Sequence, residues 1–185
     1  MSLKYAILGL LSVKPQSGYE LKANFDRAIR YLWKADQAQI YRTLRTITKQ
    51  GLAVSRTIQQ IGRPNKKVYE MTSAGEDDLR RWLSDPLPPN EQRNAELVQI
   101  FFSGQISDAD ILTSLKRIRE NLKAGLAGLT SLETNSELFA KNTTSSRVHF
   151  FFEMTRQLGI QSAKLNLKWV EEVIAKIKYG DLSQE

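Results

Sequence analysis

The stretch DQAQIYRTLRTITKQG, residues 36–51, decides the fold of this chain. Its apolar residues recur at intervals of three and four, which places them on one face of a helix: Ile40, Leu44 and Ile47. Asp36 belongs to the residue types that cap the free amides at the start of a helix. Gly51 tolerates the positive φ with which many helices end. The stretch therefore predicts a helix that packs one side against a core.

The opposite side of this helix is polar and basic. At about 100° per residue, that side and its flanks carry Gln39, Tyr41, Arg42, Arg45, Thr46 and Lys49. Basic and amide side chains of this kind reach base edges and phosphate oxygens in a major groove. An ordinary solvated face would mix both signs of charge, whereas no acid occurs between residues 37 and 60. The helix is therefore a candidate for DNA recognition.

The sequence after this helix changes to strand character. A segment rich in β-branched residues, 52–61, is followed by a Gly-Arg-Pro-Asn turn and a second strand-like segment, 66–71. Such a hairpin would carry Arg63 at its tip and Lys66 and Lys67 just behind it. Side chains in these places suit contacts with phosphates or a minor groove.

Two helices are predicted before the basic one. Leucine and isoleucine at helical spacing indicate a first helix over residues 3–12. Ser17 and Glu20 form a capping box that opens a second helix, because each side chain can bond the other residue's backbone amide. Three helices followed by a hairpin predict a mainly α fold that begins with a winged helix-turn-helix, in which the wing has two strands.

The winged helix is expected to end near residue 85. Ser73 and Glu76 read as a second capping box for a fourth helix. The prolines of residues 85–90 cannot continue that helix, because proline lacks an amide donor and fixes φ. We therefore expect a winged-helix DNA-binding domain over residues 1–85 and a second domain over 91–185.

The second domain is predicted to be helical. Residues 92–103, a seam of apolar residues from Ile111 to Leu132, and a long segment that ends near Tyr179 all have helical periodicity. Helices of this length offer more apolar edge than they can bury alone, so we expect a C-terminal helical domain for dimerisation and effector binding. The alternative is a monomer in which these helices fold onto the first domain.

Positive charge is concentrated around the third helix. Residues 34–67 contain eight Lys or Arg and one acid, so this segment alone holds the formal net charge of the whole chain, +7. Residues 91–185 contain twelve bases and twelve acids. A basic half joined to a neutral half is typical of a polyanion-binding module joined to a module with another task.

The composition argues against an enzyme and against a cofactor. The chain has no Cys and a single His, His149, which excludes thiolate chemistry and a multi-His metal site. The sequence contains no GxGxxG, GxxxxGK[ST] or GxSxG motif. A signal peptide and an apolar run of the ~20 residues that span a bilayer are absent as well, so we expect a cytoplasmic protein that binds no membrane.

Several segments of the first half resemble the PadR family of bacterial transcriptional regulators. They are YAILGLL at 5–11, SGYEL at 17–21, QIYRTL at 39–44, GL at 51–52, GRP at 62–64 and KKVYEMTSAG at 66–75. The helical pattern of the second half is similar to the C-terminal domain of the longer PadR-like subgroup.

The resemblance implies a homodimeric winged-helix repressor that binds a palindromic operator. It places Tyr41 and Arg42 on the helix that faces the groove, and it makes Tyr19 a contact to the DNA backbone. Inducers in the family include phenolic acids and planar hydrophobic drugs, so the resemblance also implies a small aromatic effector. We assign Trp33 and Trp169 to effector binding as a hypothesis.

These expectations give each candidate residue a role toward double-stranded DNA. The candidates for base edges are Gln39 and Arg42. The candidates for phosphates are Arg45, Lys49, Lys66 and Lys67, with Thr46 on the groove side and Arg63 at the wing tip. The rival hypothesis is a winged helix that binds another protein and not DNA. Such a module would show no salt-dependent affinity for a duplex.

Overall fold

The structure is a computed structural model, and it describes residues 2–29, 32–60, 62, 65–88, 94–131 and 146–180. The helices within these ranges are α1 (Ser2–Val13), α2 (Gly18–Ala28), α3 (Gln37–Lys49), α4 (Ser73–Ser84), α5 (Ala95–Phe101), α6 (Asp108–Ser131) and α7 (Ser146–Tyr179). The strands are β1 (Gln16–Ser17), β2 (Ala53–Ile58) and β3 (Lys66–Met71), and a 3₁₀ turn covers Ser103–Gln105.

The first three helices bury the apolar faces that their sequences predict. The side chains of this core have no exposed surface: Ile7, Leu8, Leu21, Phe25, Ile40, Leu44 and Ile47. The capping box of α2 is confirmed, since Ser17 and Glu20 each accept a hydrogen bond from the other's backbone amide. With α3 buried along one side only, its other side is left for solvent or a ligand.

The sheet has one strand more than the sequence predicts. The three strands are antiparallel in the order β1-β3-β2, and the hairpin of β2 and β3 forms the expected wing. β1 pairs Gln16 with Tyr69 and Ser17 with Val68. Gln16 is buried, donates from Nε2 to the Leu10 carbonyl at 2.8 Å, and accepts from Asn24 at 2.7 Å. This glutamine thereby connects the end of α1 and the middle of α2 to the sheet.

The fourth helix is capped differently from the prediction. Thr72, and not Ser73, is the N-cap, because its Oγ1 accepts from the Gly75 amide at 3.2 Å. The same hydroxyl donates to the Gly51 carbonyl at 2.6 Å and so fixes the start of α4 to the end of α3. The predicted capping box of Ser73 and Glu76 is wrong, because the N-cap lies one residue earlier in the sequence. The hydrogen bond to Gly51 holds Thr72 in the capping position.

Helix α4 packs on α1 through paired aromatic and charged contacts. The rings of Tyr5 and Trp82 are stacked, with centroids 4.5 Å apart and planes 8° apart. Lys4 Nζ lies 2.6 Å from Asp78 Oδ2 and 4.9 Å from the centroid of the Tyr5 ring. These contacts hold the helix that follows the wing against the first helix of the chain.

A second core lies between α6 and α7. It is built from Leu115 and Ile118 on α6 and from Val170 and Ile174 on α7. The apolar seam that the sequence predicts on α6 therefore packs against α7. Ser107 caps α6, because its Oγ accepts from the Asp110 amide at 3.2 Å.

A buried arginine connects the same two helices. Arg156 of α7 is 4% exposed, and its Nη1 donates to the Leu129 carbonyl of α6 at 3.0 Å. Its Nε and Nη2 donate to the two carboxylate oxygens of Glu153 at 2.8 and 2.6 Å. A buried guanidinium is stable only when its charge and donors are satisfied, and here a carboxylate and a carbonyl satisfy them.

The contacts of the described residues divide the chain into two compact units. The first unit holds the residues up to 87 together with 146–149, and the second holds 88, 94–131 and 150–180. Each unit has its own apolar core. The domain limits expected from the sequence, 1–85 and 91–185, stay a prediction, and residues 89–93 lie outside the described part of the chain.

Candidate nucleic-acid interface

The start of α3 is fixed by its own side chains. Asp36 Oδ1 accepts from the Gln39 amide at 2.7 Å, and the Asp36 amide donates to Gln39 Oε1 at 3.0 Å. This reciprocal pair is a capping box, which the sequence indicates only through Asp36. Gln39, a candidate for a base edge, therefore uses its side-chain oxygen Oε1 to close the cap. Its side-chain nitrogen Nε2 is left to meet a base.

The exposed side of α3 carries the basic residues that the sequence places there. Arg42, Arg45 and Lys49 are exposed, and the buried side of the helix faces the core. Thr46 is also exposed, and its hydroxyl donates to the Arg42 carbonyl at 3.0 Å. Ala38 lies on the same side, a position that sequence reasoning missed because a small side chain carries no chemical signal. A small residue there leaves room for a groove wall.

Tyr41 lies at the edge of this side, where α3 meets the start of α2. It is half-buried, and a Cβ added to Gly18 would lie 2.7 Å from two carbons of its ring. Burial raises the pKa of the nearby Tyr69 phenol, Tyr41 raises it further, and Arg45 opposes the change. The side chains of α3 and β3 therefore lie close enough here for Tyr41 and Arg45 to affect Tyr69. Gly18 was not among the predicted site residues, because its role depends on the close approach of Tyr41.

The two lysines of the wing have different surroundings. Lys66 Nζ lies 2.7 Å from Glu20 Oε1 in α2, and both side chains are partly exposed. Lys67 is exposed, and its Nζ lies 5.6 Å from the centroid of the Tyr69 ring. Arg63, predicted at the wing tip, lies outside the described residues. Gly62, beside it in the turn, has a φ of 72°, which a glycine adopts without strain.

A depression of about 700 Å³ opens between α2, α3 and the wing. Tyr19 on its rim is 76% exposed, which is compatible with the predicted contact to a DNA backbone. The depression brings together residues that are far apart in the sequence, and it is lined by Ser17, Gly18, Tyr19, Glu20, Tyr41, Gln60, Asn65, Lys66, Lys67 and Tyr69. Hydroxyl and ammonium donors thus surround a space open to solvent.

Glu20 keeps its negative charge in this setting. Partial burial by itself would raise the pKa of its carboxyl group, but the hydrogen bond from Lys66 and those from Ser17 lower the pKa to about 2. The carboxylate is therefore ionised at neutral pH, next to the wing and among side chains predicted to contact DNA. The acid was overlooked as a site residue because its partner lies 46 positions away.

The two tryptophans assigned to effector binding belong to different units. Trp33, between α2 and α3, is 41% exposed, and Trp169 on α7 is 38% exposed. Each therefore offers aromatic surface within its own unit.

No group of three or more His, Asp or Glu side chains among the described residues could hold a metal ion. None of the helices described in the structure combines the length and the apolarity needed to cross a membrane.

Both halves of the chain match known protein families. Residues 7–81 match the transcriptional regulator PadR-like family, and residues 92–178 match the family described as virulence activator alpha C-term. The first match covers α1 through most of α4, including the sheet, and the second covers α5 to α7. The two family matches thus cover the winged helix and the helical half separately.

Two relatives are similar over nearly their whole length. The chain is 31% identical to the probable transcriptional regulator Rv1176c of Mycobacterium tuberculosis, over 94% of this chain and 96% of the relative. It is 27% identical to the negative transcriptional regulator PadR of Bacillus subtilis, over 95% of this chain and 97% of the relative.

Solved structures agree with these sequence matches. The crystal structure of Bacillus subtilis PadR in complex with operator DNA superposes with a TM-score of 0.78, 27% identity, and coverage of 96% of this chain and 99% of that one. The same regulator in complex with p-coumaric acid superposes with a TM-score of 0.72, at equal identity and coverage. The predicted fold and family are confirmed: this chain belongs to the PadR-like family of transcriptional regulators.

Proposed function

We propose that the chain is a DNA-binding repressor that inserts α3 into the major groove of its operator and places the wing against the backbone. The observation that carries the proposal is the division of α3 into a buried apolar face and an exposed basic face. A helix of this kind beside a basic hairpin fits the docking geometry of winged helices. Bacillus subtilis PadR, a relative that has been crystallised with operator DNA, is described as a negative regulator, which supports repression.

In this proposal the candidate residues divide by the part of DNA they meet. Arg42 at the centre of the exposed face reads a base edge, and the amide nitrogen of Gln39 assists it. The remaining side chains position the helix and the wing on sugars and phosphates: Tyr19, Tyr41, Arg45, Thr46, Lys49, Arg63 and Lys67. Lys66 stands outside this set, because its ammonium group already pairs with Glu20.

We further propose that two chains form a homodimer through α7. Five of the exposed apolar side chains of this helix fall within an arc of about 60°, at about 100° per residue. They are Phe151, Met154, Leu158, Leu165 and Trp169, called the α7 stripe below. The stripe lies opposite the face that holds Arg156, Val170 and Ile174, so the contact with α6 does not cover it. Exposed apolar side chains gathered on one helix face mark an interaction site.

A symmetric dimer would give the operator its symmetry. Two copies related by a two-fold axis present two α3 helices, so the half-sites must be inverted repeats about one helical turn apart. We therefore propose a palindromic operator. Residues 1–85 would read the DNA, and residues 91–185 would hold the two copies together.

We also propose that a small aromatic ligand releases the protein from DNA. The support is the relative crystallised with p-coumaric acid, together with the half-exposed indoles Trp33 and Trp169. Titrating the chain with phenolic acids and planar cationic drugs should change its tryptophan fluorescence and lower its affinity for DNA. If neither signal changes across the panel, the ligand proposal fails and the DNA-binding proposal stands.

The DNA-binding proposal is tested by selecting operator sequences from random duplexes and measuring affinity by fluorescence anisotropy at two salt concentrations. Arg42→Ala should weaken operator binding by ~1–3 kcal/mol and relax discrimination at one base position. Lys67→Ala should weaken operator and random duplex equally and lower the salt slope by about one unit. Absence of salt-dependent binding in the wild type would contradict the proposal and favour a protein-binding winged helix. Equal losses on both duplexes for Arg42→Ala would contradict its role as a base reader.

A further inference from the structure

Glu20 and Lys66 form an ion pair in which hydrogen bonds from Ser17 orient the carboxylate. Glu20 Oε2 accepts from the Ser17 amide at 2.9 Å and from the Ser17 hydroxyl at 2.8 Å, which fixes the orientation of the carboxylate. Oε1 then faces Lys66 Nζ at 2.7 Å. The pairing of Ser17 with Val68 in the sheet brings the two side chains into register. The pair therefore depends on backbone geometry and a capping box as well as on charge.

The neighbouring lysine lacks such an anion. Lys67 Nζ faces the Tyr69 ring and solvent, and among the described residues no acid lies within ion-pair distance of it. When a free lysine meets a DNA phosphate, it releases a condensed counterion, and this release drives the association. A lysine already paired with a carboxylate exchanges one anion for another when it meets a phosphate, so it adds little to the free energy gained from counterion release.

We propose that Glu20 occupies, on Lys66, the place that a DNA phosphate would otherwise take. The pair then has a positioning role, because it holds β3 on the first turn of α2, and strand β3 offers DNA one free cation, Lys67. This inference rests on the proposed function, since it concerns how the wing meets DNA. It changes the role predicted for Lys66, from a phosphate contact to an internal anchor.

The test is the salt dependence of operator binding, which counts the phosphates that the protein neutralises. We would measure affinity for the selected operator duplex over a range of salt concentrations for the wild type and for Lys66→Met, Lys67→Met and Glu20→Gln. Lys67→Met is the matched control, because it removes the adjacent cation from the same strand. Glutamine suits the capping box as well as glutamate does, so Glu20→Gln keeps the box while an uncharged amide group replaces the oxygen that accepts from Lys66.

Each variant has its own expected slope. Lys67→Met should lower the slope of log affinity against log salt by about 0.9, the value for one phosphate of B-DNA, whereas Lys66→Met should leave it unchanged. Glu20→Gln should release Lys66 and steepen the slope by about 0.9. The double variant Glu20→Gln/Lys66→Met should return to the wild-type slope.

The opposite pattern would overturn the inference. If Lys66→Met lowers the slope as Lys67→Met does, and Glu20→Gln changes nothing, then Lys66 contacts a phosphate directly. A carbon-13 NMR titration of the Glu20 carboxyl in the free protein is a second measurement that needs no DNA. Its midpoint should rise in Lys66→Met, and an unchanged midpoint would mean that the pair does not form. A wild type that binds no duplex would instead overturn the proposed function itself.

Discussion

Gly18 determines where Tyr41 can lie, and through it the edge of the proposed DNA surface. A Cβ at this position would lie 2.7 Å from two carbons of the tyrosine ring, so a side chain there would force the ring to move. The contact joins the start of α2 to α3, the two helices of the helix-turn-helix. The absence of a side chain at Gly18 therefore leaves the space that Tyr41 occupies at the edge of the proposed interface.

We expect Gly18→Ala to destabilise the fold by ~1–3 kcal/mol, because the added methyl group overpacks the contact with Tyr41. The matched control is Gly9→Ala in the middle of α1, where a Cβ would meet nothing within 4 Å. This control should be neutral or raise the free energy of unfolding by ~0.5–1 kcal/mol, since alanine favours a helix. Urea denaturation of both variants measures the difference, and equal stabilities would contradict the argument.

Glu20 should make stability depend on pH in acid. Its pKa in the folded chain is about 2, below the usual 4.5, so its carboxylate stabilises the fold above pH 4.5. This contribution is lost as the pH falls from 4.5 towards 2, because protonation removes the hydrogen bonds from Lys66 and Ser17. Denaturation at several pH values should show a smaller acid loss in Glu20→Gln than in the wild type. Parallel curves for the two proteins would exclude the effect.

At this scale, sequence reasoning recovers the residues whose role follows from local spacing. Arg42 and Lys49 are exposed where the helical period of α3 places them. It does not recover Gly18, or the pairing of Glu20 with Lys66, because those contacts join residues from 23 to 46 positions apart. Such contacts depend on how helices and strands pack, and a local pattern does not contain that information.

The helices depend on caps as much as on apolar periodicity, and α3 shows both. Asp36 and Gln39 satisfy free amides at its start, and Gly51, with a φ of 74°, ends it. The same first turn points toward the proposed groove. The stability of α3 and the proposed DNA reading therefore depend on the same short segment.

Two substitutions separate these tasks. Asp36→Ala should lower the free energy of unfolding by about 1 kcal/mol, because the cap on α3 is lost. Gln39→Glu should keep the capping box and the stability, yet lower the affinity for every duplex, since it adds a negative charge to the proposed DNA surface. Thermal denaturation and anisotropy report the two effects. If Gln39→Glu bound DNA as tightly as the wild type, the proposed orientation of α3 would be wrong.

Among the elements, the long helices and the wing were predictable, whereas β1 and the cap of α4 were not. β3 spans the residues expected for it, and α7 ends before Gly180 as expected. β1 has only two residues and exists because β3 offers it a free edge. Thr72, and not the predicted Ser73, caps α4, because the Gly51 carbonyl lies within hydrogen-bond distance of the Thr72 hydroxyl.

For the whole molecule, assembly through the α7 stripe is the main prediction. Leu158, at the centre of the stripe, is 63% exposed, so Leu158→Glu should leave the single chain folded. In a dimer it would bury a charge, and sedimentation should then change from twice the chain mass to 21.1 kDa. Lys164→Glu, on the same helix but outside the stripe, is the control and should stay dimeric. A wild type that sediments as a monomer at micromolar concentration would end the dimer proposal.

The stack of Tyr5 on Trp82 gives the first unit an internal optical reporter. Because the two rings lie parallel at 4.5 Å, separation of α1 from α4 must change the surroundings of the Trp82 indole. In Trp33→Phe/Trp169→Phe the emission comes from Trp82 alone and reports on the first unit, and in Trp33→Phe/Trp82→Phe it comes from Trp169 alone and reports on the second. Emission from each indole, followed during denaturation, would show whether the two units melt in one step or separately. The stack thus makes the cooperativity of unfolding between the two units a directly observable property.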